Sequence, residues 1–387
     1  MKIYYLLIAF LLITVNTTAQ IIYGTNNYVE YHIGNLPIII SVPHGGNLIP
    51  SDLPDRTCNN PTLVTDSNTI ELAQQISQSL FDLTGCRPHM IYCNLKRTKI
   101  DCNRNITDGA CGNFNAEIAW TEFHNFLANA QTAALNQVSG KALYFDLHGH
   151  AHTIQRIELG YLLTGNQLGF SNSILNSQAY VDLSSIKNLV MTNVNGYTHS
   201  ELLTGSNALG TLLGNAGYES IPSQQTPTPL GNPYFSGGYN TANYTSIVNG
   251  NSVNGCQIEA NYTNVRDNAV NRQNFANAFS SVLINYFDTH YNINLINCTN
   301  LSINKFKDDR KVYVYPNFLN QHQFIQISGK NIASSKFYIS NLLGQKIETG
   351  FVDSENKCQI NKIYKSGYYI ISIEENLNLY NLKIFFN

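Results

Sequence analysis

The chain has 387 residues, a net charge of −2, 12% charged residues and 43% hydrophobic ones. This length and apolar content suit one large domain with a small companion. The charge balance excludes the basic field that would hold nucleic acid and the polybasic run that would sit on a membrane surface.

Lys2 and the apolar run Ile3–Val15, followed by Thr17-Thr18-Ala19-Gln20, read as an export signal over residues 1–20. The run is too short to span a bilayer comfortably, and no later stretch is apolar enough to do so. Export would place the eight cysteines, none in a C-x-x-C pair, in an oxidising compartment where they are expected to pair. Cys102 and Cys111 flank the loop Asn103–Ala110, so a bridge between them is the expected one.

Leu36–Val42 reads as a buried strand, and Ile70, Ala73, Ile76 and Leu80 fall at helical spacing before a stop at Gly85. Met90–Cys93 is a second strand, Ile118–Leu135 a long helix, Ala142–Phe145 a third strand and Ile157–Leu163 a fourth. Helices follow near Glu201–Leu213 and Asn274–Tyr286, with a strand at Cys256–Glu259 between them. Apolar strands alternating with helices indicate an α/β domain over residues 21–300, with a mixed, mainly parallel sheet and helices on both faces. Residues 222–240, with Pro222, Pro227, Pro229 and Pro233, break the rhythm as a loop over the site or as a surface excursion.

Beyond Cys298 the pattern changes. Residues 301–311 read as a linker ending in the charged Asp308–Lys311. Val312–Tyr315, Phe324–Ile327, Lys336–Ile339, Tyr368–Ile373 and Leu382–Phe385 then alternate as short strands, which predicts a small β-sandwich over 312–387. It holds one histidine, His322, and no acid–base cluster, so chemistry is expected upstream.

Upstream, polar residues stand where the strands end, the place at which open α/β sheets hold ligands. His44 follows the first strand in Ser41-Val-Pro-His-Gly-Gly46, and Asp66 enters the first helix. Asn103 and Arg104 follow the second strand, Asp146-Leu-His148 ends the third, and Glu259 ends the late one in Gln257-Ile-Glu-Ala-Asn261. Two histidines and a carboxylate are the usual ligands of a catalytic zinc that keeps a fourth position for water. Each residue also has a plainer reading. His44 beside two glycines can cap a turn, and Asp66 can sit at the positive end of a helix dipole with Asn68-x-x-Glu71 as a capping box. His148, His150 and His152 share one face of an extended segment, as a metal cluster of their own or as a solvated loop. Arg104 can pair with Asp101 or Asp108. Glu259 lies in an apolar run, where an unpartnered carboxylate is costly.

Taken in order, Ser-Val-Pro-His-Gly-Gly46, Thr65-Asp66, Arg97-x-x-x-Asp-x-Asn-Arg104, Asp-Leu-His148 and Gln-Ile-Glu259-x-Asn261 resemble the N-formylglutamate amidohydrolase-like family over about residues 36–290. That resemblance implies the fold of zinc carboxypeptidases and acyl-amino-acid deacylases. It implies one Zn2+ held by His44, Asp66 and His148, with Glu259 as general base. It also implies Arg104 and Asn103 as a clamp for a substrate carboxylate, with Arg97 a second arginine of the motif. The chain departs from the pattern in His150 and His152, and in Asn47 where a carboxypeptidase has its acidic ligand.

The C-terminal pieces Tyr315-Pro-Asn317, Ile339-x-x-Leu-Leu-Gly-Gln-Lys346, Ser366-Gly-Tyr-Tyr369 and Lys383-Ile-Phe-Phe386 resemble the sorting domain of the type IX secretion system of Bacteroidota. That likeness implies the secretion machinery as a partner, passage across the outer membrane and removal of the domain on arrival. The expectation is a secreted or cell-surface zinc hydrolase that cleaves an amide in a carboxylate-bearing substrate: an N-acyl amino acid, a peptide or a γ-glutamyl linkage. The rival expectation is an inactive surface protein that binds glycans or peptides.

Overall fold

Strand alternation sorts the apolar residues of this chain onto two faces of one sheet. The computed structural model describes residues 20–138, 140–296 and 298, then 313–315, 318–319, 324–328, 332–341, 345–375 and 378–386. The expected export signal, apart from Gln20, and the expected linker 301–311 lie outside the described residues. The chain divides into two units, Met1–Ile303 and Asn304–Asn387.

The first unit carries eight strands: β1 (Ile21–Tyr23), β2 (Val29–His32), β3 (Ile38–Val42), β4 (His89–Cys93), β5 (Leu143–Gly149), β6 (Ile157–Gly160), β7 (Ser220–Ile221) and β8 (Asn254–Ala260). They lie in the order β1-β2-β4-β3-β5-β8-β6-β7. The central strands β4, β3, β5 and β8 are parallel. β2 and β6 join them antiparallel at the two sides, β1 runs antiparallel to β2, and β7 runs parallel to β6. The sheet is therefore mixed and mainly parallel, as the sequence pattern indicated.

Ile38, Ile40 and Val42 of β3 pack with Phe145 and Leu147 in one apolar cluster. Two long helices join that cluster: α1 (Thr69–Thr84), through Leu72, Ile76 and Leu80, and α3 (Ala269–Tyr291), through Phe275, Phe279 and Leu283. Ile39, Ile91 and Tyr144 point the other way, onto Ala119, Phe123, Leu127 and Ala130 of α2 (Phe114–Gln137). Asn113 starts α2 by accepting from the Ala116 N–H, and Gly85 ends α1 in the left-handed region at φ 76°.

Three details differ from the sequence pattern. The single helix expected over Glu201–Leu213 is two, His199–Thr204 and Leu209–Asn215, parted where Gly205 turns extended. The edge hairpin β1–β2 has no long apolar run to announce it. The expected Cys102–Cys111 bridge does not form: Cys111 pairs with Cys58 and Cys86 with Cys298, at Cα separations of 5.5 and 6.1 Å. Cys102 instead points into the apolar cluster under α2 as a buried free thiol, while the short helix Ile106–Ala110 carries Cys111 away from it.

The second unit holds two small sheets. One orders β10 (Phe318–Leu319), β16 (Asn378–Phe386), β15 (Gly367–Glu375), β12 (Lys336–Ser340) and β13 (Lys346–Phe351), and the other β14 (Lys357–Gln359), β11 (Phe324–Ser328) and β9 (Tyr313–Tyr315). Pairing is antiparallel except between β10 and β16. Ile325 and Ile327 of one sheet share an apolar cluster with Phe337, Ile339, Ile371 and Ile373 of the other. No described helix is long and apolar enough to cross a membrane.

Candidate metal centre

The site forms where the parallel strands end. After β3 the chain runs through Pro43-His44-Gly45-Gly46 against the segment following β4, with Gly46 bridged to Lys96. A Cβ at Gly46 would fall inside the backbone of Asn94, so only glycine lets the two segments approach this closely. Asp66 is tied to that turn by its N–H, which donates to the His44 carbonyl at 3.0 Å, and its own carbonyl accepts from Thr69 Oγ1 at 2.7 Å where α1 begins. The capping box that the plainer reading of Asp66 offered is absent: Asn68 has φ 65° and gives its side-chain amide to the Arg266 carbonyl. His148 comes from β5, and the following Gly149 N–H donates to Asp66 Oδ2 at 3.2 Å.

These three residues converge. His44 Nδ1 lies 3.4 Å and His148 Nδ1 3.1 Å from Asp66 Oδ2, all three side chains being buried. Each histidine holds a carboxylate with its far nitrogen, His44 Nε2 to Asp101 Oδ1 at 2.6 Å and His148 Nε2 to Asp146 Oδ2 at 2.8 Å. That partner fixes the ring and places the proton on Nε2. His44 Nδ1 is then a buried nitrogen with no hydrogen-bond partner, facing a carboxylate oxygen. Acceptor against acceptor is repulsive in a buried site, and a cation among the three atoms reverses the sign. A group of two imidazoles and one carboxylate, with donor atoms within 4.8 Å of one another, can hold a metal ion. The donor set and its carboxylate backing suit zinc.

The charges agree with this. Burial resists ionisation of Asp66, yet the imidazoles of His148 and His44 beside it outweigh that and hold the carboxyl well below the usual range. Asp101 is likewise depressed against its burial by His44, Arg97 and Arg56, and Asp146 by His148, Ser41 and Asn240. Burial disfavours the charged form of His148, but Asp146 and Asp66 override it and raise its pKa.

Glu259 of β8 is buried in the same cavity, which encloses about 720 Å³ and is also bordered by His44, Asp66 and His148. Its Oε1 accepts from Gln257 Nε2 at 2.8 Å. Burial, with Asp66 and Glu158 adding to it and His148 opposing, pushes its pKa up to about 8.

The arginine-bearing motif divides in role. Arg97 donates to Asp101 Oδ2 at 3.1 Å and stands 3.7 Å from Asp66 Oδ1, so it is committed to the site's own carboxylates. Asn103 accepts from the Asn240 N–H at 2.8 Å through its Oδ1 and donates through its Nδ2 to Gln257 Oε1 at 3.5 Å, so both ends of its amide are engaged within the protein. Arg104 borders the cavity with 54% of its side chain exposed, its guanidinium only 4.0 Å from Asp101. Of the three residues, Arg104 is the open one.

The loop over 222–240 reaches the site. Phe235, Gly237 and Gly238 border the cavity, and Asn240 donates to Asp146 Oδ1 at 3.2 Å. Sequence reasoning offered Asp101 only as a partner for Arg104, noted Asp146 only as part of the motif ending the third strand, and missed Asn240 and Glu158. The spacing Arg97-x-x-x-Asp101 was the one local signal that Asp101 belongs to the site. No family model matches the chain, and no curated protein matches it in sequence.

Proposed function

We propose that the chain is a zinc-dependent hydrolase that cleaves an amide in a carboxylate-bearing substrate, in the manner of the N-formylglutamate amidohydrolase-like and carboxypeptidase-fold enzymes. The observation that carries this reading is the meeting of His44 Nδ1, His148 Nδ1 and Asp66 Oδ2 in the cavity that Glu259 also borders. When bound, zinc supplies Lewis-acid polarisation of a carbonyl and a more acidic water. Asp101 and Asp146 hold the two imidazoles in the tautomer that turns Nδ1 inward. Glu259, with one oxygen steadied by Gln257, takes a proton from the attacking water and returns it to a product. Arg104 draws the substrate carboxylate to the cavity mouth. Two disulfides and a separate C-terminal β-unit support export through a type IX route, with residues 312–387 as the sorting segment.

The test is metal analysis of the purified chain together with hydrolysis of N-acyl amino acids, peptides and γ-glutamyl peptides, each beside its methyl ester. The expected result is about one zinc per chain and turnover of a free acid. Arg104→Ala should lower kcat/KM for that acid by an amount equivalent to about 1.5–3 kcal/mol, and less for the ester. A chain that binds no metal would remove the reading. Bound zinc without turnover would leave a binding protein in its place.

A further inference from the structure

Beside the proposed zinc ligands lies a second group of acid–base side chains, His150, His152 and Glu158, whose donor atoms are also close enough to share a metal. His150 is already committed. Its Nε2 donates to the Arg156 carbonyl at 2.8 Å, and its Nδ1 accepts from the His152 N–H at 3.1 Å, so it acts as a strut in the segment after β5. What remains is a dyad. His152 Nδ1 holds Glu158 Oε1 at 2.9 Å, with 22% of the histidine side chain exposed and only 1% of the glutamate. The ring stacks on Phe235, centroids 4.7 Å apart and planes 15° from parallel. Glu158 fixes that stack from below, since its second oxygen accepts from the Phe235 N–H at 2.8 Å. His152 and Phe235 both border the cavity that contains Glu259. With Nδ1 held by Glu158, Nε2 is the ring nitrogen left for a partner, no hydrogen bond engages it among the described residues, and the residue itself borders the cavity. Glu158 also stands directly across from Glu259 in the β6–β8 register, which puts both carboxylates on one face of the sheet.

An imidazole with one nitrogen anchored to a buried carboxylate and the other presented to a substrate is built to carry a proton. We infer that His152 is the general acid of the proposed amide hydrolysis: it donates its Nε2 proton to the departing amine while Glu158 keeps Nδ1 protonated. The inference rests on the amidohydrolase reading and divides its proton work between two residues. Glu259 removes one proton from water, whose oxygen forms the new bond to the carbonyl carbon. The C–N bond then breaks, its electron pair stays on nitrogen, and that nitrogen takes the proton from His152. The new carboxylic acid and the protonated Glu259 release two protons, one restoring His152 and one protonating the free amine.

An anilide needs a proton on its leaving nitrogen, whereas a phenyl ester expels phenolate without one. The matched probes are therefore 4-acetamidobenzoate and 4-acetoxybenzoate, both with a carboxylate. Two variants separate chemistry from packing. His152→Gln keeps a donor for Glu158, and His152→Phe keeps the stack on Phe235. In both, kcat for the amide should fall by at least about 100-fold, that for the ester should change only a few-fold, and zinc content should stay unchanged. Equal losses on both probes, or an unchanged rate on the amide, would overturn the role of His152 and leave the amidohydrolase reading standing. Zinc-loaded wild-type protein that hydrolyses neither these probes nor the N-acyl amino acids, peptides and γ-glutamyl peptides would overturn both.

Discussion

At Glu259, burial and neighbouring charge oppose each other, and the balance is measurable. Burial, reinforced by Asp66 and Glu158, lifts its pKa from an ordinary 4.5 to about 8. Between those values the folded metal-free chain keeps a proton that the unfolded chain has lost. The contribution of Glu259 to the stability of the metal-free protein should therefore fall as pH rises from about 4.5 to 8. The depressed Asp66, Asp101 and Asp146 act in the opposite sense, their contribution being lost only as pH falls below the ordinary carboxylate value of 3.8, outside that window. His89 and His124, held at about 4 by burial, act in the opposite sense below 6.5, so calorimetry in chelator across pH 5–8 should show a less negative slope for Glu259→Gln than for the wild type, because Gln cannot titrate. The same variant should keep its zinc and lose at least about 100-fold in kcat; lost zinc would make Glu259 a ligand. The carboxylates behind the histidines give a separate test. Asp101→Asn should weaken zinc about 10–100-fold, read by competition with a chelator, because the amide no longer fixes the His44 tautomer. That His44, Asp66 and His148 come together was legible in the sequence, because the two histidines sit in short motifs at strand ends and Asp66 stands at the entry to the first helix. The carboxylate behind His44 was not, since Asp101 reaches it across 57 positions of chain.

Elements that carry long apolar runs were read close to their true bounds, because burial on both faces leaves a continuous signature. The expected strand at Leu36–Val42 is Ile38–Val42, and the expected Met90–Cys93 is His89–Cys93. The edge strands Ile21–Tyr23 and Val29–His32 escaped, being short and half solvated. Helix Glu201–Leu213 was drawn unbroken since its apolar spacing continues across Gly205. The loop of residues 222–240 was left open between a cover for the site and a surface excursion, and its close packing explains why sequence could not decide. A Cβ at Gly238 would meet Asn103 Nδ2 at 2.5 Å and Gln257 Oε1 at 2.8 Å, both in the site. Gly238→Ala should therefore destabilise the protein by about 1–3 kcal/mol and lower kcat as well. Thermal unfolding and a rate measurement check this, and an unaffected variant would mean that the loop rests lightly on the site.

For the whole molecule, the division near residue 303 sets the expectation. All the converging residues lie in the first unit, so a chain ending after Ile303 should fold, bind zinc and hydrolyse substrate as the full chain does, while failing to leave its host's periplasm. Loss of activity in that truncation would show that the β-unit shapes the site. The disulfide partners were misjudged on this scale. Cys102 and Cys111 are near in sequence, but side-chain direction rather than chain distance decides a bridge. Cys86–Cys298 instead closes a 212-residue span that takes in β4, β5, β8 and the whole of α3. Its downstream cysteine lies six positions before Asn304. A protease that cuts beyond Cys298 would therefore leave a new chain end already stapled to the end of α1. Fraying from that end could not travel back into α3. The first unit parted from the second would keep its own fold, and reduction of Cys86–Cys298 before the cut, rather than the cut itself, would open it.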